Sequence, residues 1–429
     1  MGEEIRLGVA GLGTVGAGVV KIVQGQAALL QQRTGRRVKI SAVSARNRDK
    51  DRGVDLSAYP WEDDPVALAR REDVDVLVEL MGGADGPAKA SVEAALAAGK
   101  DVVTANKAML ALHGQALAEA AEAAGCVLRF EAAVAGGIPV VKTLTEGLAG
   151  NRIERIVGVM NGTCNYILTR MDAEGLSYDE VFEAANQLGY LEADPQLDVG
   201  GIDAGHKLSL LAAIGFGTRV SFGDMVLEGI DRVSIDDIRL AGDMNYKIKL
   251  LGVAQMTGRG LEQRMTPCLV PSSSPLGQLE GATNMVVLEG DAVGQIVLRG
   301  AGAGEGPTAS AVMADICDIA RGLRVPTFGQ AAGALAQPTP ASTQAPGAYY
   351  LRMGLEDKPG ALAKIATVLG ENGISIDRMR QYGHPGQKDA PVLIVTHKTD
   401  RPSLDAALAA LPATGVLASD PVALRIEDV

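Results

Sequence analysis

Cysteine is scarce in this chain of 429 residues: there are four, they lie far apart, and no two form a CxxC pair. A disulfide framework or a zinc site of paired cysteines is therefore not expected, and the thiols are predicted to be reduced and structural. Long apolar runs are also missing, since no segment approaches the ~18 residues of a membrane span and the N-terminus lacks a secretory signal pattern. We expect a cytoplasmic protein with no membrane partner.

Positive charge is in deficit as well, and the formal net charge is −12. Nucleic-acid-binding proteins usually present a basic face, so no nucleic-acid partner is expected. What the chain does have is length and apolar content, because 47% of its residues are hydrophobic. That is enough to build two or three separate cores, as in an ordinary soluble multidomain protein.

The first 130 residues alternate short apolar runs with amphipathic stretches rich in alanine and leucine. This alternation predicts a parallel sheet with crossover helices, and hence an α/β fold. The predicted strands are 5–10, 38–44, 74–80, 101–104 and 126–130, and the predicted helices are 14–32, 87–98 and 107–124.

The rest of the chain divides into three parts. Residues 134–325 mix helix-like and strand-like segments and predict an α+β catalytic and dimerisation domain. Residues 326–347 are predicted to be a linker, because the stretch from 334 has three prolines and no periodic apolar face. Residues 348–429 give the order strand, helix, strand, strand, helix, strand of a ferredoxin-like sandwich. A flexible tether makes few contacts, so a chain ending near residue 336 is expected to fold and stay active.

The first chemical motif is GLGTVG, between the first predicted strand and the first predicted helix. Glycines there permit a tight turn and let a pyrophosphate approach backbone N–H groups at the positive end of the helix. The alternative is that they merely turn the chain, but the position after the first strand favours dinucleotide binding by a Rossmann domain over residues 1–133. The cofactor-binding residues predicted in this motif are Gly11, Leu12, Gly13, Thr14, Val15 and Gly16.

The end of the second predicted strand reads SARNR at 44–48, without the acidic residue that bonds the ribose 2′-hydroxyl of NAD. Arginine suits a 2′-phosphate, so NADP(H) is the predicted cofactor and NAD(H) the second candidate. The alternative is that Arg46 and Arg48 are solvated loop residues, as is common for arginine.

Two lysines and three carboxylates are candidates for chemistry. Lys107 follows a short predicted strand at the carboxyl edge of the parallel sheet, where doubly wound folds bind ligands. Asp203 and Lys207 are four residues apart on one helical face, an arrangement equally typical of a surface ion pair. Glu192, Asp198 and Asp203 lie within twelve residues, a density suited to an ammonium group or to a solvated acidic loop. Spacing alone leaves both interpretations open.

Eight blocks make the chain similar to the homoserine dehydrogenase family, from the first strand to the last helix before the linker. The blocks are GLGTVG (11–16), VELMGG (78–83), VVTANKA (102–108), FEAAVAGGIPVV (130–141), NGTCNYIL (161–168), GYLEADP (189–195), DVGGIDAGHKL (198–208) and GAGAGEGPTASAV (300–312). The resemblance implies reduction of L-aspartate 4-semialdehyde to L-homoserine, which leads to threonine, methionine and isoleucine. Met81, Cys164 and Glu305 depart from the family's usual residues, and none of them is a reacting group.

The resemblance also implies roles for single residues. Lys207 matches the proton donor, Lys107 the second active-site lysine, and Asp203 an acid spaced to orient Lys207. Substrate-binding positions are matched by Glu192, which binds the ammonium end, and by Asp198, Tyr190, Gly162 and Thr163. Further cofactor positions are Thr104, Lys107 and Gly306. A monovalent cation, Na⁺ or K⁺, is matched by the Glu131 carboxylate and the carbonyls of Val134, Gly136 and Ile138.

The last segment resembles an ACT domain, a module that commonly binds amino acids, in its element order and in LEDKPGAL at 355–362. The turn at 357–360 offers N–H groups to a carboxylate, or is only a capped helix start. The resemblance implies feedback regulation, with threonine as the first candidate effector, and a homodimer or homotetramer. The rival interpretations are a silent amino-acid sensor, which would not need both lysines, and another amino-acid dehydrogenase, which would not need the blocks at 189–195 and 198–208 together.

Overall fold

A computed structural model of the chain describes residues 3–191, 194–382 and 389–429. The strands of its first sheet are β1 (Glu4–Ala10), β2 (Arg37–Ser44), β3 (Trp61–Glu62), β4 (Val76–Glu79), β5 (Asp101–Thr104) and β6 (Leu128–Arg129). They are parallel and lie in the order β3-β2-β1-β4-β5-β6, which is the Rossmann order. The helices around them are α1 (Thr14–Gly25), α2 (Ala27–Thr34), α3 (Pro65–Arg70), α4 (Pro87–Ala97) and α5 (Lys107–Ala123). The predicted α/β fold is confirmed.

Two details of this sheet differ from the prediction. The predicted helix 14–32 is two helices, because the chain breaks at Gln26, which follows a glycine that favours a helix end. The short edge strand β3 was not predicted, since two residues are too few to show a period.

The middle of the chain is an α+β unit around a mixed sheet. Its strands are β7 (Ile153–Val159), β8 (Val226–Leu227), β9 (Tyr246–Thr257), β10 (Gly260–Pro271), β11 (Thr283–Gly290) and β12 (Gly294–Ala301). Its helices are α6 (Val140–Lys142), α7 (Gly162–Glu174), α8 (Tyr178–Gln187), α9 (Pro195–Val199), α10 (Ile202–Phe216) and α11 (Ile235–Asp243), with a π-helical turn Thr143–Gly147. Leu208 of α10 shares a hydrophobic core with Ile156 and Leu250 of the sheet. This packing fixes the helix that carries Asp203 and Lys207.

The helix after this sheet, α12 (Glu305–Arg321), returns to the nucleotide-binding domain. Val312 and Ile316 lie in one hydrophobic cluster with Val9 of β1 and Val19 of α1. The predicted catalytic interval 134–325 therefore contains an element of the first domain. An apolar helix face shows in the sequence that it is buried, but not which core covers it.

The C-terminal unit has the predicted βαββαβ order. Its elements are β13 (Ala348–Glu356), α13 (Ala361–Glu371), β14 (Ile376–Gln381), β15 (Asp389–Thr396), α14 (Arg401–Ala410) and β16 (Val422–Ile426). Its strands lie in the antiparallel order β16-β13-β15-β14. β16 also pairs in parallel with β10, where Cys268 faces Arg425 and Leu269 faces Ile426. The sheet therefore runs from the catalytic unit into the C-terminal unit in the order β12-β11-β7-β9-β10-β16.

The segment between these units does not behave as the expected flexible tether. Ala336 donates to the Gly217 carbonyl at 3.0 Å, and Leu261 donates to the Thr339 carbonyl at 2.8 Å. Phe328 is 1% exposed and lies 5.5 Å from Phe130, ring centre to ring centre. Prolines remove periodicity but not the carbonyl acceptors, so a proline-rich segment can still be fixed along a sheet edge. Within the described ranges, no helix is both long and apolar enough to cross a bilayer.

Candidate active site

A cleft of about 780 Å³ lies between the nucleotide-binding domain and the catalytic unit. Thr14 and Val15 of the glycine-rich turn line one end, and Asp203 and Lys207 of α10 line the other. The walls between these ends come from the loops after β4 and β5, from residues between 132 and 136, and from 302–304. The cleft is at the carboxyl edge of the parallel sheet, where this fold binds dinucleotides.

The glycine-rich turn offers space and donors to an anion. Gly11 has a φ of +98°, and a Cβ there would lie 2.6 Å from the Leu80 carbonyl group. A Cβ at Gly16 would lie 2.0 Å from the Gly11 oxygen, whereas a Cβ at Gly13 would meet no atom within 4 Å. α1 begins at Thr14 with no side-chain cap among the described residues. The first N–H groups of α1 therefore face an open side that suits a pyrophosphate.

The loop after β2 contains the arginines predicted to meet a 2′-phosphate. Arg46 is exposed, and the Arg48 guanidinium lies 5.9 Å from the centre of the Trp61 ring. Arg52, which sequence reasoning missed, donates from Nε to the Leu12 carbonyl of the glycine-rich turn at 2.9 Å. Basic residues alternate from 46 to 52, and this pattern did not indicate which of them turns back toward the nucleotide.

The two lysines predicted to be catalytic meet at one carboxylate. Asp203 Oδ1 lies 2.7 Å from the Lys107 Nζ, and its Oδ2 lies 2.6 Å from the Lys207 Nζ. Burial would raise the pKa of this carboxyl, but the charges of Lys207 and Lys107 hold it well below its usual range. Asp203 is 6% and Lys207 9% exposed, which excludes the surface ion pair that the spacing allowed. Asp203 is a fixed negative charge that holds two ammonium groups at the cleft.

The segment after β7 holds the other side of this cluster. The Lys207 Nζ donates to the Met160 carbonyl at 2.9 Å, in addition to Asp203. The Asn161 side chain donates to Asp198 Oδ1 at 2.9 Å and accepts the N–H of Cys164 as the N-cap of α7. An ammonium has three N–H bonds, and among the described residues the third of Lys207 has no partner. That donor is available to a ligand oxygen.

The predicted substrate residues that the structure describes are brought to the same end of the cleft. Gly162, Thr163, Tyr190 and Asp198 all line it. The Thr163 hydroxyl donates to the Tyr190 carbonyl at 3.0 Å, which joins the start of α7 to the loop after α8. Glu192, predicted to bind the ammonium end, lies outside the described residues.

Thr104 is engaged below the cleft rather than on its wall. Its hydroxyl donates at 2.6 Å to Oε2 of Glu79, a residue that sequence reasoning missed. Glu79 is fully buried, which raises its pKa, and its Oε1 accepts the N–H groups of Met81 at 2.7 Å and Gly82 at 3.4 Å. It thus joins the loop after β4 to the loop after β5, which leads to Lys107. The only sequence signal was an acid at the end of an apolar strand.

Gly306, predicted to approach the nucleotide, lines a second cavity of about 620 Å³ among α1, α2 and α12. Its neighbours Gly304 and Thr308 line the cleft. The glycine-rich loop before α12 therefore reaches the cleft two residues earlier than predicted.

Glu131 is buried beside the cleft, at 1% exposure. Its Oε1 accepts the Val141 N–H at 2.9 Å and its Oε2 the Lys142 N–H at 2.8 Å, while its own N–H donates to Asp315. Burial, with the nearby charge of Asp315, raises the pKa of Glu131 to about 7. A cation bound beside Glu131 would counter both the burial and the charge of Asp315, and would lower this pKa.

The three carbonyls predicted to join Glu131 belong to the loop that follows it. Val134 and Gly136 line the cleft, and the Ile138 carbonyl already accepts the Val140 N–H at 2.8 Å. Within the described part of the chain, no group of three or more His, Cys, Asp or Glu side chains could hold a metal ion. An ion bound here would rest mainly on carbonyl oxygens, which suit a monovalent cation.

Comparisons with known proteins cover the whole chain. The family models described as "Homoserine dehydrogenase, NAD binding domain", "Homoserine dehydrogenase" and "ACT domain" match residues 11–131, 139–317 and 349–413. The homoserine dehydrogenase of Neisseria gonorrhoeae is 41% identical over 434 residues, which cover 100% of this chain and 99% of the relative. That of Pseudomonas aeruginosa is 40% identical over 435 residues and 100% of both chains.

Solved structures agree. A homoserine dehydrogenase from Thiobacillus denitrificans superposes with a TM-score of 0.93 at 39% identity, covering 99% of this chain and 98% of that one. A hyperthermophilic archaeal homoserine dehydrogenase in complex with NADPH gives a TM-score of 0.64 at 27% identity, covering 76% and 99%. The family assignment that the eight blocks implied is confirmed. The chain belongs to the homoserine dehydrogenase family of oxidoreductases, and it has an NAD(P)-binding domain and a C-terminal ACT domain.

Proposed function

We propose that Lys207 donates the proton when this chain reduces L-aspartate 4-semialdehyde to L-homoserine with NADPH. One observation carries this assignment: the buried carboxylate of Asp203 lies between the ammonium groups of Lys107 and Lys207, at the end of a cleft that begins at the glycine-rich turn. Because Asp203 is held ionised, it has no proton to give. The two ammonium groups that it pairs with do carry protons, which supports an ammonium group as the donor.

Reduction adds a hydride to the aldehyde carbon and a proton to its oxygen. When bound, the reduced nicotinamide supplies the hydride. Lys207 stabilises the oxygen as it becomes negative and then transfers its proton to it, leaving a neutral amine that solvent reprotonates. Asp203 keeps Lys207 oriented and charged before the transfer, and Lys107 attracts the substrate carboxylate. The residues fit a dinucleotide because the side of Gly13 is open and the start of α1 has no side-chain cap.

Replacing Lys207 tests the proposed role. Lys207→Ala should lower kcat by about 100-fold or more, because the group acts on the developing alkoxide, while the Kd for NADPH stays unchanged. Lys89→Ala is the matched control, since Lys89 forms an i,i+4 ion pair with Glu93 on α4, away from the cleft. NADPH oxidation with aspartate semialdehyde measures both. Turnover close to wild type in Lys207→Ala would assign the proton to another group.

A preference for NADP(H) over NAD(H) is part of the proposal. It is supported by the absence of an acid at the end of β2 and by the arginines of the following loop, of which Arg52 contacts the glycine-rich turn. A Na⁺ or K⁺ ion at Glu131, Val134, Gly136 and Ile138 is a further part. It is supported by the buried carboxylate, which keeps unused acceptor positions after two backbone hydrogen bonds.

We further propose that the ACT domain binds an amino-acid effector, with threonine as the first candidate. α13 begins after Gly360, which has a φ of +85°, and has no side-chain cap within the described residues, so its first N–H groups are open to a carboxylate. Threonine, methionine, isoleucine and lysine should be titrated during NADPH oxidation. Inhibition by threonine at the lowest concentration supports the assignment, and stronger inhibition by another amino acid replaces it.

The remaining proposals concern organisation. The chain is divided at 133, 325 and 347, with α12 completing the nucleotide-binding domain from within the catalytic interval. The protein acts in the cytoplasm, in the biosynthesis of threonine, methionine and isoleucine. It forms a homodimer or homotetramer, which light scattering of the purified protein measures directly. The edge strand β12, where Val297 is 40% exposed, is available for such a contact.

A further inference from the structure

One buried polar side chain in the cleft is not used by the reaction as described so far. Asn284, in β11, is 1% exposed and lines the cleft. Its Oδ1 is buried and accepts no hydrogen bond from any residue that the structure describes. Leaving a buried polar atom unpaired is costly, so native proteins usually complete it with a ligand or an ordered water.

Glycines hold the carboxamide of Asn284 at the wall of the cleft. A Cβ at Gly302 would lie 2.0 Å from the Asn284 Nδ2 and 2.2 Å from its Cγ. A Cβ at Gly136 would in turn lie 2.4 Å from the Gly302 carbonyl carbon. Both glycines line the cleft. Any side chain at Gly302 would clash with the Asn284 carboxamide, and any side chain at Gly136 would clash with the Gly302 backbone.

Asn284 lies between the nucleotide end and the substrate end of the cleft. The loop that contains Gly302 leads into α12, which packs on α1 of the nucleotide-binding domain. On the other side, Ala282 adjoins the start of α7, because a Cβ at Gly162 would lie 2.6 Å from the Ala282 oxygen. A group that meets Asn284 is thus at the place where the dinucleotide ends and the substrate begins.

We propose that Asn284 binds the carboxamide of the nicotinamide ring, accepting its amide N–H at Oδ1. A carboxamide has a donor NH2 group at one end and an acceptor oxygen at the other, so two carboxamides can pair. The substrate ammonium is the other group of suitable chemistry, but Asp198 offers it a carboxylate, whereas Asn284 is neutral. The proposal rests on the use of a dinucleotide, which family membership shows, and is independent of the preference for NADP(H).

Two pairs of nucleotides isolate the nicotinamide ring. NADP⁺ and 2′-phospho-ADP-ribose differ only in that ring, as do NAD⁺ and ADP-ribose. In Asn284→Leu the Kd of NADP⁺ and of NAD⁺, measured by calorimetry, should rise about tenfold, while both ring-free nucleotides bind as to the wild type. An equal loss for the ring-free nucleotides would mean a structural role, and no loss at all would mean no contact; either result overturns the proposal. If the protein does not prefer NADP(H), the wild-type affinities will show it. The comparison of NAD⁺ with ADP-ribose will then still test the contact of Asn284 with the nicotinamide ring.

Stability and substrate kinetics provide independent readouts. Because Oδ1 of Asn284 has no partner among the described residues to lose, Asn284→Leu should leave the Tm of the ligand-free protein unchanged or raise it. Asn165→Leu is the matched control and should lower it, since the buried Asn165 donates to the Gly281 carbonyl at 2.7 Å and accepts from Lys249 at 2.9 Å. Asn284→Ala serves if the leucine variant does not fold. A higher KM for homoserine with unchanged NADP⁺ affinity would place the substrate at Asn284 and overturn the proposal.

Discussion

Replacing Glu427 by glutamine tests how the ACT domain is attached to the catalytic sheet. Glu427 follows β16 and is 4% exposed. It pairs with Arg264 of β10, with Arg155 of β7 and, at 2.6 Å, with Arg425 of β16. Burial would raise the pKa of Glu427, but Arg264, Arg425 and Arg155 lower it below its ordinary value. Arg264 is 1% exposed, and among the described residues its one other carboxylate partner is Glu262, at 3.1 Å.

The expected loss of stability is large. Removing one partner of a buried ion pair costs about 3–5 kcal/mol, because the other charge stays buried without compensation. The lower end applies here, since Glu262 remains beside Arg264. Whole domains have free energies of unfolding of about 5–15 kcal/mol. With a Tm change of about 2–4 °C per kcal/mol, Glu427→Gln should lower the Tm by about 6–12 °C.

Thermal unfolding of the full chain measures this change. The control is Asp405→Asn in the same domain, because Asp405 and Arg401 form an exposed i,i+4 pair, 54% and 46% exposed, of at most about 0.5 kcal/mol. A carboxyl with a lowered pKa stabilises the fold only while it is ionised, so the difference between wild type and Glu427→Gln should shrink below about pH 4. If both variants melt within about 1 °C of each other, the attachment does not depend on this buried cluster.

The sequence predicts that a chain ending near residue 336 folds and stays active, and the cluster around Glu427 predicts the opposite. A chain ending near residue 336 would leave the buried Arg264 without Glu427. It would also remove β16 from the edge of β10, where Leu269 pairs with Ile426. Such a chain should aggregate or lose activity, whereas the predicted flexible tether implied an intact enzyme. Domain deletion is therefore a poor test of regulation in this protein.

Two further predictions concern the cofactor and the cation. Arg46→Ala should raise the KM for NADPH more than the KM for NADH, because only NADPH has a 2′-phosphate. Arg52→Ala should raise both KM values, because it removes the hydrogen bond to the Leu12 carbonyl of the glycine-rich turn. If Arg46→Ala raises both KM values equally, Arg46 does not bind the 2′-phosphate. The pKa of Glu131 is raised to about 7. Without a bound ion, the free energy of unfolding should therefore fall as the pH rises from about 4.5 to 7, since the native carboxyl still holds a proton that the unfolded one has lost. K⁺, compared with choline, should therefore raise the Tm more at about pH 8 than at about pH 6, and not at all in Glu131→Gln; a pH-independent effect would place the ion elsewhere.

The sequence was sufficient where its signals are local. The alternation of strands and helices and the turn after β1 predicted the parallel sheet and its nucleotide end. The spacing of Asp203 and Lys207 predicted that they share a helical face, but whether that face is buried depends on how α10 packs on the sheet. Lys107, which comes from another domain, meets Asp203 only in the folded chain.

Long-range partners could not be predicted from local patterns. Glu79 stands at the end of an apolar strand, and its partner Thr104 follows a different strand. Arg52 is one of several loop arginines until it reaches the Leu12 carbonyl, 40 positions earlier in the chain. The junction of β10 and β16 involves two residue pairs, too few to leave a periodic signal. In each case the sequence shows the residue type, and only the fold supplies the neighbour.

The proposed regulation by the ACT domain needs a physical route to the active site, and β7 has a contact with each of the two. Arg155, near the start of β7, pairs with Glu427 of the ACT domain. Met160, the residue directly after β7, accepts the hydrogen bond of the Lys207 ammonium. Met160 is five residues along the extended strand from Arg155, about 17 Å, and the strand is held between β11 and β9. We propose that a shift of β16 favoured by an effector reaches Lys207, the proposed proton donor, through this one paired strand, a connection that a loose tether would not make.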